Sequence, residues 1–212
     1  MAGRVVLIEG MDLAGKTTLV HNLQSELTHR GIPVRVSRNA LCVDNPIAAL
    51  ADELRRDPEA GLLETGAAFL AAHLWDARQF RPPPDGTIHL QDSSWLRTVA
   101  HHMVRGTPQI AGLLLEASAA FPAYDRVFFL TADLEERRRR LQQREFERPG
   151  ANDRDDHAVI REPEQFLRQD GIIRRLAARL LMATVIDTSC AKLDEIAQLC
   201  LTLIHKVETS NG

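Results

Sequence analysis

Cysteine is scarce in this chain of 212 residues: Cys42, Cys190 and Cys200 are the only three, and no two form a CxxC pair. An odd number of such thiols suits a reduced, cytosolic protein, and no local pattern offers a cysteine its partner histidine. No apolar stretch approaches the ~20 residues that cross a bilayer, so no membrane partner is expected. The N-terminus runs from Met1-Ala2-Gly3-Arg4 straight into a strand-like segment, so no signal peptide is expected. Charge of one sign is missing too. Lys and Arg number 26 against 29 Asp and Glu, a formal net charge of -3, whereas a dedicated nucleic-acid binder is basic as a whole. These absences point to a cytoplasmic protein that handles a small molecule, with no nucleic-acid partner. No internal repeat is visible.

What is present is an ordinary globular balance, 44% hydrophobic and 26% charged residues, in a chain long enough for one sizeable α/β domain. Arg4 to Glu9 is a short continuous apolar run, the pattern of a strand buried on both faces of a parallel sheet. A glycine-rich turn follows, then Thr17 to Arg30 with Leu19, Val20, Leu23 and Leu27 on one helical stripe. Further strands are predicted at Val34 to Ser37, Thr87 to Gln91, Arg126 to Leu130 and Thr184 to Ile186. Helices are predicted at Ile47 to Arg56, Leu62 to Phe80, Leu96 to Val104, Pro108 to Ala119, Leu134 to Arg144, Glu164 to Leu181 and from Leu193 onward. Strands alternating with helices imply a parallel sheet covered on both faces. The polar stretch from Glu147 to His157 reads as a functional loop.

Gly10-Met11-Asp12-Leu13-Ala14-Gly15-Lys16-Thr17 fits G-x-x-x-x-G-K-[ST] without a gap, with a strand before it and a helix after it. Triphosphate oxygens require converging backbone N–H groups, which glycines allow by accepting unusual dihedrals. The following helix points its positive end at the phosphates, Lys16 adds a point charge, and Thr17 offers a hydroxyl to Mg²⁺. Asp92 ends the third predicted strand, on the edge where open α/β sheets bind ligands. It is read as part of the Mg²⁺ shell or as the group that orients the acceptor; capping of the next helix is the plain alternative. Arg137 to Arg140 and Arg144 lie on one helix, with Arg148 and Arg154 in the loop beyond. Most of that run reads as a solvated face paired with Glu135, Glu136 or Glu145. Arg154, within Asn152-Asp153-Arg154-Asp155, is the preferred candidate to swing over a transferring phosphoryl group.

Together these segments resemble thymidylate kinases and related nucleoside monophosphate kinases across nearly the whole length. Val6 to Asp12 with Ala14-Gly15-Lys16-Thr17-Thr18 is similar to the family's first strand and P-loop. Ser37-Arg38 resembles the start of its T-R-E-P-G segment, Asp153-Arg154 the D-R of its lid, and Val185-Ile186-Asp187-Thr188-Ser189 the strand and loop beside adenine. The resemblance implies a three-layer P-loop NTPase fold with a five-stranded parallel sheet, helices on both faces and a lid near residues 145–157, in a single domain spanning 1–212. It also implies ATP with Mg²⁺, bound by Gly10 to Thr18 and Asp187 to Ser189. By the same likeness Asp12 lies close to the acceptor sugar, and Arg38 contacts the acceptor. Some family members carry an arginine where this chain has Leu13, so the transition-state arginine is expected from the lid. Helix-mediated dimers occur in that family, and Leu113-Leu114-Leu115 suits either a homodimer face or core packing.

The departures cluster at the acceptor. Where the family has D-R-Y, this chain has Asp92-Ser93-Ser94, and a serine cannot replace a bidentate guanidinium. The A-Y-Q segment is Ala100-His101-His102, and T-R-E-P-G has become Ser37-Arg38-Asn39-Ala40. Trp75 is placed either stacking on a planar acceptor or packing on a helix face. Arg78 and Arg97 are candidate replacements for the lost phosphate contact, against a default of surface pairing. His101 and His102 read as polar pocket lining or helix surface, not as metal ligands. The expectation is an ATP-dependent kinase whose acceptor differs from thymidylate, tilted toward an unphosphorylated nucleoside or another small hydroxyl compound. A nucleotide-binding switch without catalysis and an NTP hydrolase are the rival classes.

Overall fold

The computed structural model describes residues 3–150, 152 and 156–205. Five strands form one all-parallel sheet: β1 (Arg4–Glu9), β2 (Val34–Arg38), β3 (Ile88–Asp92), β4 (Arg126–Thr131) and β5 (Thr184–Asp187), in the order β2-β3-β1-β4-β5. The apolar run of β1 takes the centre, where both faces are covered and Val5 to Glu9 are all buried. The edge strands β2 and β5 are partly exposed, as their mixed composition requires.

The helices are α1 (Lys16–His29), α2 (Pro46–Arg56), α3 (Leu62–Gln79), α4 (Trp95–Arg105), α5 (Pro108–Ala117), α6 (Leu134–Glu147), α7 (Ala158–Arg161), α8 (Pro163–Leu180) and α9 (Leu193–His205). On one face of the sheet, Leu19, Leu23 and Leu27 of α1 and Cys200, Leu201 and Ile204 of α9 pack on Ile8, Leu90, Phe128 and Leu130. On the other, Leu96 and Val99 of α4, Ile110 and Leu114 of α5 and Ile173 of α8 pack around Phe129. Phe128 and Phe129 thus anchor opposite cores, as the period of two along a strand dictates. Within Leu113-Leu114-Leu115, Leu114 is fully buried while Leu113 is half exposed. Core packing therefore accounts for the middle of that run.

The elements agree with the periodicity to within a residue or two at most ends. The exceptions lie around the polar loop: α6 continues through Glu147, one turn past Arg144, and a short α7 follows His157. The Ala119 end of α5 is a 3₁₀ turn, Ser118–Ala120.

β3 buries every residue although it carries His89, Gln91 and Asp92. Its polar side chains are matched from β2, in a register that sets Ser37 beside Gln91. The Ser37 hydroxyl donates to the Gln91 carboxamide oxygen and lies 2.5 Å from His89 Nε2. With the serine proton used on Gln91, His89 must be the donor in that second contact. Gln91 Nε2 in turn donates to the Ser93 carbonyl at 2.8 Å, so this polar patch fixes the turn leading into α4.

Burial holds four imidazoles, His73, His89, His101 and His102, down at about 4 instead of 6.5. Arg35 adds to the effect on His89, and Arg105, Arg97 and Arg55 add to it on His101. An imidazole held down in the fold is protonated first in the unfolded chain, so its contribution is complete above about pH 6.5 and drains away as the pH falls toward 4. Urea unfolding midpoints should therefore decline across that window, before most carboxylates titrate. A flat profile there refutes this account.

Candidate active site

β1 delivers the chain to the carboxyl edge of the sheet at Glu9, and the glycines then make the turn. A Cβ on Gly10, whose φ is 142°, would strike the Leu130 carbonyl, and Gly15 turns at φ 93° into α1. β1 passes to α1 on one face and β3 to α4 on the other, so a crevice opens between their ends. Ile8 and Arg38 both lie in register with Asp92, which brings β1, β2 and β3 to the same edge.

Two pairs stand in this crevice. The Thr17 hydroxyl donates to Asp92 Oδ2 at 3.2 Å, an oxygen set from two elements of the kind Mg²⁺ takes together with waters and phosphate oxygens. Those residues fit the ion. Across the loop, Lys16 is buried, its Nζ donating to the Met11 carbonyl at 3.0 Å and lying 3.8 Å from Asp12 Oδ1. Burial and the Arg97 charge lower the Lys16 ammonium from its usual value. Burial alone would raise Asp12. The guanidinium of Arg97, 2.7 Å from Asp12 Oδ2, and the Lys16 ammonium outweigh it and hold that carboxyl well below the usual range. Asp12 is an anion at neutral pH.

The four carbonyls from Met11 to Ala14 are each engaged. Met11 O accepts from Lys16, Asp12 O from Arg137 Nη1 at 2.8 Å, Leu13 O from Arg140 Nη1 at 2.9 Å, and Ala14 O from the Thr188 hydroxyl at 3.0 Å. Arg140 also donates to the Thr188 carbonyl at 2.6 Å. Thr188 therefore lies against the loop, while Asp187 turns back to accept from Ser189. Of the arginine run, Arg138 and Arg139 are exposed and Glu136 pairs with Arg139 and Arg140, as the pattern suggests, but Arg137 is buried and Arg140 also reaches inward to the loop. Their spacing of three on α6 was the available signal.

Glu9 was not singled out in the sequence, yet it joins the two halves of the crevice. It is wholly buried; Oε1 accepts from the Gly10 N–H, and Oε2 accepts from both the N–H and the hydroxyl of Ser94. Burial raises its carboxyl in spite of those bonds. Ser94, and not Asp92, caps α4, by accepting from the Leu96 N–H; Asp92 is left facing Thr17.

Where the sequence led the acceptor to be expected, Ser93 is buried in the left-handed region at φ 71°, with its hydroxyl on Asp92 Oδ1. Arg38 is exposed beside it on the strand edge, and Arg97 engages Asp12. His101 is half-buried one turn beyond Arg97, whereas His102 is buried against α3 and bonded to Thr107. A recess beside the β3 end is lined by Asn39, Asp76, Gln91, Trp95, Phe121 and Tyr124, among others. Its free volume is about 10 Å³, room for roughly one water. Trp75 and Arg78 are not among the described residues that line it; Trp75 is half-buried on α3 and Arg78 exposed. The neighbouring Asp76 accepts from the Leu41 and Cys42 N–H groups and from Asn45, and so folds residues 39–45 against α3. Asp153 and Arg154 lie outside the described residues. The chain around them is tied back to α6 by Asn152 on Glu145 and Asp156 on Arg144.

No protein-family model matches the chain, and no curated protein matches its sequence. Solved structures do match its shape. A thymidylate kinase from Candida albicans superposes with a TM-score of 0.71 at 18% identity, over 98% of this chain and 93% of that one. One from Ehrlichia chaffeensis gives 0.65 at 16% identity, over 97% of this chain and 100% of that one. With a P-loop at the edge of a five-stranded parallel sheet, the chain has the fold of the thymidylate kinases.

Proposed function

We propose that this protein is a cytoplasmic, ATP-dependent kinase that moves the γ-phosphoryl group to a nucleotide, nucleoside or related small-molecule acceptor other than thymidylate. The observation that carries this reading is the Thr17–Asp92 contact beneath a P-loop, with the ionised Asp12 facing the same crevice. Mg²⁺ held by Thr17 and, through water, by Asp92 would neutralise charge on the phosphates. Lys16 exchanges the Met11 carbonyl for the β- and γ-phosphate oxygens. The N–H groups from Gly10 to Thr18 cradle the phosphates, and Asp187 to Ser189 border the adenine. Asp12 accepts a hydrogen bond from the acceptor hydroxyl and orients it in line. Arg154 closes over the phosphates with a lid at 145–157, in a single domain of 1–212. Arg38, Trp75, Arg78, Ser93, Arg97 and His101 form the proposed acceptor set.

Ser93 itself offers no guanidinium, and its hydroxyl is turned onto Asp92. That supports an acceptor not gripped as thymidylate is. The fold accommodates such variation, since the Candida albicans enzyme is one of broad substrate specificity. No described helix is long and apolar enough to cross a membrane.

ADP release measured against a panel of nucleosides, nucleoside monophosphates and related hydroxyl metabolites tests the reading. Release that rises with one acceptor class supports the kinase, and equal release without any acceptor supports a hydrolase. Lys16→Ala and Arg154→Ala should each lower turnover by about two to three orders of magnitude, with circular dichroism unchanged. Wild-type turnover in Arg154→Ala removes that residue from the mechanism. Asp92→Asn should raise the Mg²⁺ concentration for half-maximal rate by about 10–100-fold; an unchanged Mg²⁺ dependence removes Asp92 from the metal shell.

A further inference from the structure

Among the described residues, Arg137 is the largest of the fully buried side chains, only 1% exposed. Its fork reaches three separate elements. Nε donates to the Ala132 carbonyl between β4 and α6, Nη1 to the Asp12 carbonyl of the P-loop and Nη2 to Asp170 Oδ1 on α8, each at 2.8 Å. The guanidinium carbon also lies 5.1 Å from the centre of the Phe166 ring. A buried ion pair is weak evidence of stabilisation, because apolar residues of similar volume serve as well or better. The role of Arg137 is therefore sought in what it holds.

It holds the front of the loop. Leu13 stands at φ 64° without being glycine, a conformation that persists only where its surroundings over-determine it. The carbonyls on either side of that torsion are the ones taken by guanidinium groups of α6, Asp12 O by Arg137 and Leu13 O by Arg140. Asp12 is gripped twice, through its carbonyl by Arg137 and through its carboxylate by Arg97. Asp170 balances the Arg137 charge from behind, so the cation does not compete with Lys16 for phosphate. The three bonds of the Arg137 fork go to Ala132, Asp12 and Asp170, whereas the rear of the loop, Gly15 to Thr17, leads into α1.

We propose that Arg137 is a positioning residue of the transfer site: it fixes the Asp12–Leu13 peptide, aiming the Asp12 carboxylate at the acceptor and the front N–H groups at the terminal phosphate. This rests on the kinase reading above. Loss of the fork should leave the β-phosphate end of the cradle intact and disturb the γ-phosphate end. The consequence is a loss of ATP affinity that ADP does not share, together with a fall in transfer rate.

The test compares Arg137→Met, Arg137→Lys and Asp170→Asn with the wild-type protein, using calorimetric titration of ATP and of ADP with Mg²⁺ and transfer kinetics with the best acceptor. Arg137→Met should lower the ATP-over-ADP affinity ratio and kcat each by about tenfold or more, with ADP affinity changed less than about twofold. Arg137→Lys should fold but leave the ratio low, because one ammonium cannot bridge Ala132 and Asp12. Should the methionine variant not fold, the lysine and asparagine variants decide. ATP and ADP affinities that fall in parallel reduce Arg137 to a scaffold residue and overturn the proposal, as does an unchanged ratio with unchanged kcat. A wild-type protein that binds both nucleotides but transfers phosphate to no acceptor overturns the kinase reading alone, and the affinity ratio still judges Arg137. A wild type that binds neither overturns both.

Discussion

A loop that turns its N–H groups inward around phosphate must turn carbonyls outward, and each buried carbonyl needs a donor. In this protein that constraint recruits half the fold. Asp12 and Leu13 take Arg137 and Arg140 from α6, and Ala14 takes Thr188 from the end of β5. The donors come from both sides of the crevice and from segments more than a hundred residues away. The cradle is thus a property of the assembled sheet, although its own residues are contiguous.

The proposed acceptor half is tied to the same loop by a buried carboxylate. Glu9 spends one oxygen on Gly10 and the other on Ser94, so the first residue of the P-loop and the cap of α4 move together. Ser93 and Asp92 lie between those anchors, with Thr17 and Asp12 facing them. Behind this line the Ser37–His89–Gln91 patch sets the height of the β3 end. Polar groups buried at this cost are all matched, which is what allows them to specify a position.

The sheet and the P-loop were legible because their signals are local. The run Val5 to Ile8, the glycines at 10 and 15 and the stripe of α1 each report their own conformation. The arginine run was legible only as a helix. Nothing near Arg137 says that Asp170 will stand behind it; the expected solvated face holds for Arg138 and Arg139 and the expected pairing with Glu136 for Arg139 and Arg140, but Arg137 is buried. Glu9 was hidden by belonging to an apolar strand, since its partner Ser94 is 85 residues away. Trp75 drew attention as an aromatic on a helix, yet the residue beside it, Asp76, carries the buried bonds to the 39–45 segment. Side-chain direction on α3 depends on what packs against it, and a short amphipathic pattern with apolar residues on several faces does not settle that.

Of the four described non-glycine residues with positive φ, all but Met182 stand where this network converges. Leu13, Asn39 and Ser93 have φ of 64°, 62° and 71°, and they follow β1, β2 and β3 respectively at the carboxyl edge. Asparagine tolerates that region; leucine and serine do so at a cost of about 1–3 kcal/mol each. Each is pinned: Ser93 N–H on the Ile8 carbonyl, Asn39 N–H on the Asp92 carbonyl, Leu13 O under Arg140. Glycine at these places would relieve the strain, but it would also release the chain into other conformations. A strained residue held by specific bonds gives one geometry, and the bonds here all run to atoms beside Thr17, Asp92 or Asp12. The stability given up at this edge is therefore best understood as the cost of holding two carboxylates and a hydroxyl still around the space where a phosphoryl group would pass.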